Sequence, residues 1–270
     1  MPDGQRLARG WDEVGEGVFR RRYRDSFDLN CGLVLGDGRA LLVDSRCHEF
    51  EAAQLREEIG RLTAMPIQVV VNTHGHFDHC FGNAVFVDSE LWGQVGCARY
   101  LAVSGERQRA VARELMGSAA GPALEAARIV PPDHLVADAT TLLIAGRPVR
   151  LAFLGKGHTD HDLVVAVDDV KVIFAGDLVE EGAPPAFEDA YPTEWPATLG
   201  RLIEFAGDAT LVPGHGDLVN RAFVRRQQQD VRAVSDLCHD VAAGTIATGD
   251  AVAASPYPAT TTRTALTRPL

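Results

Sequence analysis

The six residues His74-Gly75-His76-Phe77-Asp78-His79 carry four side chains able to hold a metal ion, and they follow directly on the apolar run Ile67–Val71. Imidazole offers neutral nitrogen and aspartate offers anionic oxygen. That mixture suits Zn²⁺, Fe or Mn better than Ca²⁺ or Mg²⁺, which favour all-oxygen shells. Three more short motifs place a ligand type just after an apolar stretch: Gly157-His158-Thr159, Gly176-Asp177 and Pro213-Gly214-His215-Gly216. Each alone is an ordinary turn, because glycine lets the backbone bend sharply where a side chain would clash. Joined to the first cluster, they complete seven candidate metal ligands: His74, His76, Asp78, His79, His158, Asp177 and His215.

Such residues act together only if strands and helices deliver them to one place. Residues 67–71 read as a buried strand ending at the His-rich loop. Before them, residues 17–19, 31–35 and 40–43 read as antiparallel strands joined at the Gly36-Asp37-Gly38 turn, and residues 50–62 as a helix with apolar positions Leu55, Ile59 and Leu62. Residues 90–116 read as largely helical. The second section repeats the plan, with strands at 141–144, 149–154, 163–167 and 170–175, a helix at 195–205, a strand at 210–212 and a helix at 221–241. Two α/β halves are expected, their sheets face to face, helices outside and ligands at a shared edge. They form one domain over residues 1–243, and residues 244–270 read as a tail with partial disorder.

The order HxHxDH followed by separate His, Asp and His resembles the metallo-β-lactamase-fold superfamily over roughly residues 17–216. The resemblance implies an α/β four-layer αββα sandwich. It implies that His74, His76 and His158 hold a first metal, that Asp78, His79 and His215 hold a second, and that Asp177 bridges them. Two Zn²⁺ are expected, with Fe or Mn as alternatives. Two such cations about 3.5 to 4 Å apart can share a water, lower its pKa from about 16 toward 7, and present hydroxide to a carbonyl. The implied activity is a dinuclear metal-dependent hydrolase of a small thioester, lactone or other ester acting through a metal-bound hydroxide. Asp78 would be catalytic, orienting that hydroxide. Zinc β-lactamases place Cys or Ser where Asp177 stands, whereas Asp looks like glyoxalase II and lactonases. Glyoxalase II carries a sizeable helical C-terminal domain with basic glutathione-binding residues, whereas about one helix and a tail are expected after His215. Alternatives are a mononuclear iron oxygenase of the persulfide dioxygenase type, using His74, His158 and Asp177, and a β-lactamase. Asp44 ends an early strand as in the family and reads as structural support for the site.

Composition narrows the partners. With 26 basic and 37 acidic residues the formal charge is −11, which argues against a nucleic-acid partner, since that affinity rests on clustered Lys and Arg. The Arg20-Arg21-Arg22-Tyr23-Arg24 run reads as a solvated face. Five cysteines form no CxxC pair and cannot all pair within one chain, which fits a reducing compartment. Residues 1–5 lack a basic and apolar targeting start, and no run approaches the roughly 20 apolar residues of a membrane span. The expectation is a cytoplasmic protein whose partner is a small-molecule substrate, with no nucleic acid and no membrane. Cys80 reads as a buried thiol rather than a ligand. Asp162 is a candidate to fix the His158 tautomer. The segment from Leu178 to Trp195 is a candidate pocket wall, and residues 90–116 a candidate lid with Arg107, Arg109 or Arg113 facing an anionic substrate.

Overall fold

The computed structural model describes residues 10–270, so the targeting readout at residues 1–5 lies outside the described residues. The chain opens with β1 (Trp11–Gly15), β2 (Val18–Tyr23), β3 (Leu29–Leu35) and β4 (Ala40–Val43), an antiparallel meander. Helix α1 (Glu49–Leu62) then crosses to β5 (Ile67–Val71), which pairs parallel to β4. The short helix α2 (Phe77–Cys80) follows, then β6 (Glu90–Gln94), α3 (Val95–Met116), α4 (Gly121–Ala126) and β7 (His134–Val136), completing a seven-stranded sheet in sequential order.

A second sheet is built from β8 (Ala139–Ile144), β9 (Arg147–Phe153), β10 (Leu163–Val167) and β11 (Val172–Gly176). After α5 (Trp195–Ala206), strand β12 (Thr210–Pro213) joins its edge parallel to β11, and α6 (Arg221–Ala242), α7 (Thr248–Ala254) and α8 (Ala259–Leu266) close the chain.

Side-chain alternation along the strands decides the layering. Leu41 and Val43 of β4, Val69 and Val71 of β5, and Leu163, Val165 and Val167 of β10 all enter one core between the sheets. The opposite faces pack outward, with Leu42 and Val70 against Leu55 and Ile59 of α1, and Val164 and Ala166 against Leu199, Leu202 and Val231 of α5 and α6. Both faces of the central strands are covered, which is why they read as unbroken apolar runs. The result is the four-layer αββα sandwich.

Three expectations change. Residues 90–94 are strand, not the start of a helix: Leu91 sits opposite Val70 of β5, and sheet pairing overrides helical propensity until Gln94 caps α3. The arginine run is not a solvated face. Arg20 is buried against Asp12, Arg21 reaches Glu58 of α1 at 2.8 Å, and Arg22 joins Asp28 and Asp217. Residues 244–270 hold two helices rather than an irregular tail. Ala251, Thr262 and Ala265 are fully buried there, and Cys238 of α6 donates to the Ala265 carbonyl.

Candidate metal centre

The His-rich loop is held by atoms that precede it in the fold. Asp44, at the end of β4, adopts a left-handed backbone (φ 62°). From there its carboxylate accepts from the Thr73 amide and hydroxyl, each at 2.8 Å, and from His79 Nδ1 at 2.8 Å. Asn72 and Asn83 exchange amide hydrogen bonds, and Cys80 donates through Sγ to the His76 carbonyl, a structural thiol rather than a ligand. The second sheet brings the rest: His158 between β9 and β10, Asp177 after β11, His215 after β12. Gly176 turns there with φ +54°, and a Cβ on Gly214 would lie 1.8 Å from Asp177 Oδ1, so only glycine leaves that carboxylate its place.

All seven predicted residues meet at this edge. His76 Nδ1 and His158 Nε2 are 2.9 Å apart, and with His74 they form one group of ligand atoms lying within 4.8 Å of one another. Asp78, His79 and His215 form a second such group, with His215 Nε2 3.3 Å from Asp78 Oδ2 and from His79 Nε2. Asp177 stands between them: Oδ1 is 3.3 Å from His79 Nε2, while Oδ2 is 3.2 Å from His215 Nε2, 3.6 Å from His158 Nε2 and 3.8 Å from His74 Nε2.

Four of the five imidazoles have their outer nitrogen hydrogen-bonded to protein, and a carboxylate lies beside that of the fifth, His158. His79 donates to Asp44, His215 to the Phe27 carbonyl at 2.8 Å, and His76 to Asp189 at 3.1 Å. Thr73 Oγ1, already donating to Asp44, accepts from His74 Nδ1 at 3.1 Å, and Glu180 lies 3.3 Å from His158 Nδ1. The five inner nitrogens face one another and two carboxylates. His74 Nε2 and Asp177 Oδ1 are buried with no hydrogen-bond partner. Burial and the neighbouring imidazoles hold His74 well below its ordinary pKa. For His79 and His215 burial works against the charge, but Asp177 and Asp78 outweigh it and hold both well above. Burial likewise opposes ionisation of Asp78, yet His79 and His215 bring it down to about 2.

Several residues of the site escaped the sequence reading. Asp189 binds both His76 and the Tyr100 hydroxyl (2.9 Å), and Gln108 links Tyr100 back to the Phe77 amide. Nothing in the local pattern around Asp189 marks it, beyond its place in the segment read as a pocket wall. Asp162 does not touch His158 but accepts from the Thr159 amide and hydroxyl, whereas His161 accepts from the Gly75 amide at 3.1 Å and so anchors the motif loop. Above the ligands opens a cavity of about 1050 Å³, lined on one side by Phe27, Phe77, Val111 and Leu115 and on the other by residues of the 178–191 segment. Of the three lid arginines only Arg107 lines it. Arg109 binds Glu106 and the Leu124 carbonyl, and Arg113 pairs with Glu125.

A sequence model described as the metallo-beta-lactamase superfamily matches residues 25–215. Curated relatives named metallo-beta-lactamase type 2 include that of Bacteroides fragilis, 29% identical over 104 residues, or 37% of this chain and 42% of that protein. The match therefore spans less than half of that relative's length. The Bacillus cereus relative is 25% identical over 198 residues, covering 72% of this chain and 69% of its own. Among solved structures, the metallo-beta-lactamase from Pontibacter korlensis superposes with a TM-score of 0.68 at 21% identity, over 82% of this chain and 98% of its own. The DIM-1 metallo-beta-lactamase does so with 0.67 at 17% identity, over 83% and 97%. These structures share the sandwich, and the matched stretch runs from the turn before β3 through the last predicted ligand, so the chain belongs to the metallo-beta-lactamase superfamily.

Proposed function

We propose that this chain is a dinuclear metal-dependent hydrolase of small carbonyl substrates, a thioester, lactone or other ester. One observation carries the reading: five imidazole nitrogens and the carboxylates of Asp78 and Asp177 converge, while protein atoms hold the outer nitrogens of His74, His76, His79 and His215. His74 Nε2 and Asp177 Oδ1 are buried there without a hydrogen-bond partner, and buried polar atoms so left are costly unless a cation takes them. The donor set of nitrogen and carboxylate oxygen fits Zn²⁺, with Fe or Mn as alternatives. His74, His76 and His158 would hold one ion, Asp78, His79 and His215 the other, with Asp177 shared.

Bound there, two divalent cations would acidify a shared water and offset negative charge growing on a carbonyl oxygen. The chain's own residues do the rest. Asp78, ionised at neutral pH, would accept a hydrogen bond from the attacking water and set its direction. Asp44, Asp189 and Glu180 keep the imidazoles turned inward. The 178–191 segment and Phe27 wall the site and limit bulk water. No serine or cysteine nucleophile is involved, and Cys80 points away to a backbone carbonyl.

A second reading, β-lactam hydrolysis, is favoured by the names of the curated relatives. Metal analysis together with a panel of thioesters, lactones, aryl esters and β-lactams separates the readings. Two zinc ions per chain with carbonyl hydrolysis abolished in Asp177→Ala is the expected result. One iron per chain with oxygen uptake, or no metal at all, would sink the proposal.

A further inference from the structure

The stretch of cavity wall that carries Asp189 has no regular structure to hold it. Residues 180–190 contain neither helix nor strand. Among the described residues, the hydrogen bonds that reach the main chain of residues 187–190 all come from one side chain, Arg268. Its Nε donates to the Ala190 carbonyl at 2.8 Å and its Nη1 to the Glu188 carbonyl at 2.9 Å. Between those two carbonyls lies Asp189, whose carboxylate is 3.1 Å from His76 Nε2. The opposite ring nitrogen of His76 is the one that faces His158 in the ligand group.

Arg268 is itself fixed by buried structure. Thr262 and Ala265 of α8 are fully buried, Cys238 of α6 donates to the Ala265 carbonyl, and the Arg268 amide donates to that same carbonyl at 3.0 Å. Tyr257, between α7 and α8, sets its ring 6.3 Å from that of buried Phe187, just before Asp189. A guanidinium is a rigid planar fork, so two carbonyls bound to it are fixed relative to each other as well as to the arginine. The main chain is thereby held on both sides of Asp189, and the direction of its carboxylate follows.

We propose that Arg268 is a positioning residue of the metal centre: by fixing the backbone around Asp189 it keeps that carboxylate on His76, so the C-terminal segment sets how firmly His76 offers its inner nitrogen to an ion. The inference rests on the metal-dependent hydrolase reading above and assigns part of its site to residues beyond the last ligand.

Zinc affinity of the full chain, measured by competition with a chromophoric chelator and with no substrate present, tests this in a double-mutant cycle of Arg268→Ala and Asp189→Ala. Loss of a positive charge beside the cavity would by itself favour cation binding, so a fall in affinity reports lost positioning. Expected is about a 3- to 10-fold loss at one of the two ions for Arg268→Ala, below the roughly 10- to 100-fold typical of direct partners of ligating histidines, and almost no further loss when Arg268→Ala is added to Asp189→Ala. A merely structural role would lower affinity alike with and without the Asp189 carboxylate. Should the alanine variant not fold, Arg268→Lys, which keeps a cation without the planar fork, takes its place in the cycle. Unchanged affinity, or an equal loss in both backgrounds, overturns the inference and leaves the hydrolase reading standing. An unsubstituted chain that binds no zinc removes that reading and this inference together.

Discussion

Asp44 is the side chain on which the inner geometry turns. A non-glycine residue with φ 62° costs about 1 to 2 kcal/mol, and here the conformation persists because it aims one carboxylate at Thr73 and at His79 together. Asn tolerates the left-handed region, so Asp44→Asn keeps the backbone while removing the charge and turning one of the two accepting oxygens into a donor. Loss of a carboxylate behind a ligating imidazole lowers metal affinity about 10- to 100-fold, which competition with a chromophoric chelator measures directly. Unchanged zinc affinity would show that Asp44 acts only on the fold. Asp189 plays the corresponding part for His76, and Tyr100 supports Asp189 from α3. Asp189→Ala should therefore weaken zinc binding more than Tyr100→Phe, which leaves the contact between carboxylate and imidazole in place. The reverse order, read in the same chelator assay, would remove Asp189 from this role.

At the scale of elements, strand β2 is tied to helix α1 by Glu58, which accepts from Arg21 at 2.8 Å and from the Tyr23 hydroxyl at 2.8 Å. Partial burial pushes the Glu58 carboxyl up, but these donors outweigh it and hold its pKa below the ordinary 4.5. The folded state thus binds this proton more weakly than the unfolded state. The stabilisation is fully present above pH 4.5 and is lost as the pH falls through the folded value. Glu58→Gln should cost about 1 kcal/mol at pH 7, near the low end for a charged hydrogen bond because the pair is partly exposed. Thermal melts of the two proteins should converge in acid, and a gap independent of pH would refute the linkage. This contact also shows where sequence reading stops. Strands such as Leu163–Val167 and the ligand motifs were legible because apolar periodicity and glycine-flanked His and Asp are local signals. The pairing of β6 with β5, the contact of Arg21 with Glu58 and the reach of Asp189 to His76 depend on residues distant in sequence. No local window around Glu90 or Arg21 contains them. The C-terminal helices were missed for a related reason. Their Thr- and Ala-rich composition carries little apolar pattern, and they hold their shape by burying Ala251, Thr262 and Ala265.

For the molecule as a whole, the position of the ligands makes metal binding a question of global stability. His74, His76, Asp78 and His79 leave the end of β5 in the first sheet, whereas His158, Asp177 and His215 leave the second. The two groups described above draw from both: His158 completes the first, His215 the second. Backbone hydrogen bonds also cross this edge, from Asn30 to Gly214 at 2.7 Å and from Leu163 to Thr73 at 2.7 Å, and hold the two halves in register. Ions bound there would clamp the sandwich in the folded state, since the unfolded chain does not bring the seven groups together. A ligand that binds only the folded state at about 100 times its Kd adds about 2.7 kcal/mol. For a chain of this size that raises Tm by roughly 5 to 10 °C. Differential scanning fluorimetry should therefore show a rise with Zn²⁺ and a fall with EDTA, both diminished in His158→Ala and in His215→Ala because each variant breaks one clamp. A melt that ignores zinc and chelator alike would mean that no ion joins the halves, and the hydrolase reading would fall with it.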